Sequence, residues 1–78
     1  MDYLIKPKIK QLIECRIKAG LTMRDLGKKS GVNVSSICNI EAGRTMPNPS
    51  TAKKLRMALE KEFDDLFEIV ECKEGEQV

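Results

Sequence analysis

Histidine and tryptophan are absent from this chain, and its aromatic residues are only Tyr3, Phe63 and Phe67. The first absence removes the side chain that most often serves as general base or metal ligand near neutral pH. The second, with so few rings, leaves an aliphatic core, which favours packed helices over a sandwich or barrel. Cysteine is scarce as well. Cys15, Cys38 and Cys72 are odd in number and widely spaced, with no CxxC pair, so neither a zinc site nor a disulfide framework is expected. That usage fits a reduced, cytoplasmic setting. No apolar run exceeds three residues, so neither a signal-peptide core nor a membrane span is expected within it. There is no glycine-rich phosphate loop and no nucleophile–base pair. Catalysis and cofactor binding are therefore not expected.

What is present is charge, unevenly spread. The net charge of +2 conceals twelve Lys/Arg against four Asp/Glu from Met1 to Arg56, and two against eight from Met57 to Val78. The two parts balance at +8 and −6. A basic body suits a polyanion, and an acidic end would point away from one; the plainer reading is that both surfaces keep a small protein in solution. With 78 residues there is room for one domain, near the lower limit for a self-sufficient core.

Helical spacing recurs along the chain. The segment Tyr3–Ile5 is a short apolar patch, and Pro7 suits the first turn of a helix. From Lys8 to Ala19, Ile9, Leu12, Ile13 and Ile17 fall at helical intervals, with Gly20 as the stop. A fourth helix is expected from the cap Asn48 and Pro49 to about Glu60, burying Ala52, Leu55, Ala58 and Leu59. Phe63, Leu66 and Phe67 are spaced for one more turn. The stretch FEIVE then alternates weakly, as a strand would, and only the DYLIK segment offers it a partner. The acidic tail over 72–78 has no apolar pattern and is expected to be disordered.

Between these lies TMRDLGKKSGVNVSSICNIEAGR, from Thr22 to Arg44. Thr22 can cap one short helix with Asp25 as the capping-box acid, and Asn33 can cap a second that Gly43 stops. Gly31 is the turn residue between them. Gly27, in mid-helix, costs roughly 1 kcal/mol of propensity; it suggests close approach by the next helix, or is a plain weakness of this one. Leu26, Val32, Ile37 and Ile40 fit an inward side; Val34, Ser35, Cys38 and Asn39 remain outside. This is the layout of a DNA-binding helix-turn-helix spanning 22–43.

The longer phrases GLTMRDLGKKSGV, SSICNIEAG, RTMPN and MALEKEFDDLF resemble the lambda-repressor-like (Xre) helix-turn-helix regulators. The match runs from about Ile9 to Phe67 and includes Ile37, Ile40, Glu41 and Gly43, Pro47 four residues on, and the closing turn Phe63–Phe67. The resemblance implies an all-α, compact five-helix lambda-repressor-like fold over 1–71, to which the strand pair is a possible addition. Four residues depart from the pattern. Met23 stands where a phosphate-positioning Gln is usual, Gly27 for a small Ala, Ser30 for an apolar residue, and Val34 for Arg or Gln.

Carried over by position, the resemblance places the third helix, about 34–42, in the major groove, with Val34, Ser35, Cys38 and Asn39 at the bases. Asn39 is the best reader because its amide can both donate to and accept from adenine. Phosphate contacts are expected from Thr22, Met23, Asn33 and Arg44, using backbone N–H groups at the helix starts. Lys28 and Lys29 either add long-range attraction or are merely solvated. Glu41 is implied to form an internal ion pair with Arg16; the alternative gives Arg16 to a phosphate. Cys38 is either a redox switch on the DNA face or a bystander.

One such domain covers roughly 600–1,000 Å² on DNA, so a homodimer on a palindromic operator is expected. Phe63, Leu66, Phe67, Ile69 and Val70, together with Tyr3 to Ile5, are the candidate dimer contact. The functional expectation is a sequence-specific repressor of transcription. The alternative is an antitoxin-type module whose acidic end binds a partner protein while the helix-turn-helix autoregulates.

Overall fold

The computed structural model describes residues 2–72. Its elements in order are β1 (Asp2–Pro7), α1 (Ile9–Lys18), α2 (Met23–Ser30), α3 (Val34–Glu41), α4 (Pro49–Leu59), α5 (Phe63–Leu66) and β2 (Phe67–Cys72). Five helices form the body, and the two ends meet as an antiparallel ribbon with Leu4 opposite Val70 and Ile5 opposite Ile69. Pro7 closes β1 opposite Phe67 instead of opening α1. Proline is tolerated at the end of an edge strand, where no ladder donor is needed. The backbone N–H of Lys8 then donates to Leu66 O at 2.8 Å and joins the start of α1 to α5. β2 extends to Cys72, and the rest of the acidic tail expected over 72–78 lies outside the described residues.

The core is aliphatic apart from Phe67. It comprises Leu12, Leu26, Val32, Ile37, Ile40, Ala52, Leu55, Ala58, Leu59, Leu66 and Phe67. Each fully buried large side chain contributes roughly 1.5–3 kcal/mol of apolar transfer, which a chain this short needs. The inward side of α1 is narrower than its spacing suggests: Leu12 is buried and Cys15 is partly covered, but Ile17 is 61% exposed. Arg16 takes the inward place one turn beyond Leu12, and Ile17 lies about 100° further round the helix.

Three helices end in the same way. At Gly20, Gly43 and Glu60 the backbone turns left-handed, and the next N–H reaches back over the last turn: Leu21 to Arg16 O, Arg44 to Asn39 O, Lys61 to Arg56 O. These are Schellman closures. Glycine occupies the left-handed place in two of them; in α4 it is Glu60, at φ 55°. Gly27 serves a different purpose. A Cβ there would sit 2.9 Å from the Val32 carbonyl oxygen, so its absence lets the turn and α3 close on α2. Among the described residues no helix is long and apolar enough to cross a membrane.

Candidate nucleic-acid interface

α2 and α3 are set by their caps. Thr22 Oγ1 accepts from the Asp25 N–H at 3.0 Å, and Asp25 Oδ2 accepts from the Thr22 N–H at 3.0 Å, a complete capping box. The Thr22 backbone N–H first, and the Thr22 hydroxyl second, hold the Asp25 carboxyl below its ordinary pKa, and the Lys28 charge lowers it a little further. Gly31 closes α2 at φ 80°. Ser30 Oγ accepts from the Val32 N–H at 3.1 Å, so this polar residue braces the turn where the family pattern favours an apolar one. Asn33 Oδ1 then caps α3 through the Ser35 N–H at 2.8 Å.

α3 divides sharply between two environments. Ile37 and Ile40 are buried, while Val34, Ser35, Ser36 and Cys38 are exposed and Asn39 is half-buried. The four residues expected to read bases therefore share the outer side of one helix. The Cys38 thiol is free and exposed. At the C-terminal end of α3, Arg44 Nη1 donates to Asn39 Oδ1 at 3.1 Å. A guanidinium only donates, so this contact fixes which way the Asn39 amide faces.

The phosphate-side residues differ in what they offer. Thr22, Asn33 and Arg44 are exposed, but Met23 is half-buried and packs its side chain against the core. Met23 has no polar side-chain donor to offer a phosphate; its backbone N–H, which the capping box does not engage, is what remains. Arg24, exposed in that same turn, was not among the expected contacts. Its position beside the cap was the available signal. Lys28 and Lys29 are exposed, and Lys29 lies 3.9 Å from Glu60 in a loose surface pair.

Glu41 faces away from this surface. Arg16 Nε donates to Glu41 Oε2 at 2.7 Å and Nη2 to Oε1 at 3.1 Å, a bidentate pair, while Nη1 donates to Leu21 O at 2.9 Å. Both side chains are largely buried, at 13% and 7% exposure. Arg16 thus braces α1 against α3 and is not available as a phosphate contact.

The expected dimer surface needs correction. Leu66 and Phe67 are fully buried and belong to the core. Phe63 is half-covered, its ring 5.4 Å from that of Phe67. A turn as short as α5 spends its apolar side on its own domain. Ile69 is 63% exposed and Val70 partly so.

A helix-turn-helix family model, HTH_3, matches residues 12–66, from the buried Leu12 of α1 to the buried Leu66 of α5. The chain belongs to the HTH_3 helix-turn-helix family. Among solved structures, it is similar to an HTH_3 family transcriptional regulator from Vibrio cholerae, with 28% identity and a TM-score of 0.68. That likeness covers 73% of this chain and 32% of the other, so this chain spans about a third of that regulator's length. Comparison with curated proteins finds no match. The matched region contains the whole of α2, the turn and α3.

Proposed function

We propose that this HTH_3 chain is a sequence-specific double-stranded DNA-binding regulator of transcription, a dimeric repressor of the cytoplasm that places α3 in the major groove. One observation carries the reading. The outer side of α3 presents the exposed Val34, Ser35 and Cys38 and the half-buried Asn39, framed by the start of α2 and by Arg44. Ile37 and Ile40 on its other side hold it to the core. Asn39 reads adenine, Val34 packs on a thymine methyl, and Ser35 bonds a base or phosphate. Thr22, Asn33, Arg44 and the first N–H groups of α2 clamp the backbone. The basic balance of +8 over Met1–Arg56 supplies attraction. No Arg or Gln lies on α3, so DNA shape and bound water supply more of the specificity than is usual.

Selection of bound sites from random duplexes gives the operator, and Asn39→Ala and Arg44→Ala then test the docking. Both variants are expected to bind it more weakly with unchanged circular dichroism. Normal binding by both would refute the placement of α3.

A further inference from the structure

The ribbon of β1 and β2 leaves apolar surface that the body does not cover. Tyr3 is 64% exposed, Ile69 63% and Leu4 40%. In an antiparallel pair, opposed residues share a face, so Ile5 and Ile69 lie on one side with Tyr3, and Leu4 lies on the other. A groove of about 450 Å³ runs between that first side and the loop Met46–Pro49. Leu4 also lines it, whereas its cross-strand neighbour Val70 does not. The groove therefore opens at the free edge of β1.

We infer that this edge and groove seat a second copy of the chain, β1 pairing with the partner's β1 to make a four-stranded sheet. Three observations select that occupant, and the inference sharpens the dimer in the reading above. The first is charge. Self-pairing along the edge of β2 would set the two copies of Glu68, with the axis at Ile69, or of Glu71, with the axis at Val70, as same-face diagonal neighbours about 7–8 Å apart. Like charges that close disfavour a ladder. Along β1 the central residues Tyr3, Leu4 and Ile5 are uncharged. With a two-fold axis near Leu4, the two Lys6 residues stand about 13 Å apart at strand spacing, beyond screening distance.

The second observation is area. Tyr3, Leu4, Met46 and Ile69, with the strand edge, offer on the order of 500 Å² per copy, and twice that reaches the roughly 1,000 Å² of a specific interface. The third is self-complementarity: the same patch supplies both exposed side chains and a groove, as a two-fold contact requires. The segment Lys73–Val78 contains one apolar residue and is a poor filling for an apolar groove. An unpaired strand edge is also a standing template for another strand.

Sedimentation equilibrium of the full chain without DNA tests this. Wild type is expected to be dimeric, and Leu4→Lys and Ile69→Lys to weaken the dimer at least tenfold. Met57→Lys, at an exposed apolar site on α4 outside the groove, is expected to leave it intact. In parallel, exchange of the outward amides among Tyr3–Ile5 in wild type should slow as concentration rises, a readout that needs no variant to fold. A wild-type monomer at all concentrations, concentration-independent exchange, or a dimer broken by Met57→Lys but not by Ile69→Lys would overturn the inference. The first of these leaves the groove to another protein's strand. Binding to a half-site duplex is measured separately. If the dimer forms as described but no half-site is bound, the DNA-binding reading fails and the β1 contact stands.

Discussion

Arg44 holds Asn39 at two points. Its backbone N–H donates to the Asn39 carbonyl at 2.9 Å, and its Nη1 donates to Asn39 Oδ1 at 3.1 Å. The residue proposed to read a base is thus oriented by the residue proposed to meet a phosphate. An amide oxygen has two lone pairs, so one remains for an adenine N6–H while Nδ2–H faces N7.

Base discrimination should then depend on Arg44 as well as on Asn39. Asn39→Ala is expected to lose about 1–3 kcal/mol of discrimination at one base pair. Arg44→Lys should keep the salt dependence of binding but relax that same position, because an ammonium lacks the planar fork. Arg44→Ala should do both, lowering the salt slope by about 0.9. Titrations of single-base operator variants at several salt concentrations check this; unaltered discrimination in Arg44→Lys would show that the contact does not orient Asn39.

Removing Arg16 should act on stability instead. Its loss leaves Glu41 buried without its partner, which typically costs about 3–5 kcal/mol, a large share of what a small domain has. The double variant Arg16→Met with Glu41→Leu should recover much of that. Urea denaturation reads both, and an unchanged midpoint in Arg16→Ala would remove the brace from this account.

Asp25 carries a pH signature. Its folded pKa lies below the unfolded value, so the capping box stabilises the fold at pH above the ordinary Asp range. That contribution fades as pH falls through the lowered folded pKa. A carboxyl NMR titration should place Asp25 below an unperturbed Asp, and Thr22→Ala, which keeps the backbone N–H and loses the hydroxyl, should move it only part of the way back up. Full restoration of the ordinary value in Thr22→Ala would mean that the backbone N–H does not hold the carboxyl.

Glu60 can be improved upon. It adopts φ 55° in the closure where Gly20 and Gly43 adopt 77° in theirs. A left-handed residue with a Cβ costs roughly 1–2 kcal/mol, which glycine avoids. Glu60→Gly also loses the 3.9 Å contact to Lys29, but that pair is exposed and contributes little. The net expectation is a Tm raised by a few degrees. A lower Tm would mean that the strain is already relieved.

Local chemistry made much of this legible in the chain itself. Thr22, Asn33 and Asn48 announce three helix starts because their side chains satisfy first-turn N–H groups, and Leu26, Val32, Ile37 and Ile40 mark the inward side of the bent pair by spacing alone. The outer side of α3 follows from what that spacing leaves over. Tertiary structure decided matters that depend on residues distant in sequence. Leu66 and Phe67 have the composition of an interface, and only packing against the other helices shows them to be core. Ile17 has the spacing of a core residue, yet Arg16 takes the inward place because Glu41, twenty-five positions away, is there to meet it. The ribbon of DYLIK and FEIVE needed both ends of the chain in register before either could be a strand. Spacing records which residues share a side of one element; what that side meets depends on where the remaining elements fold.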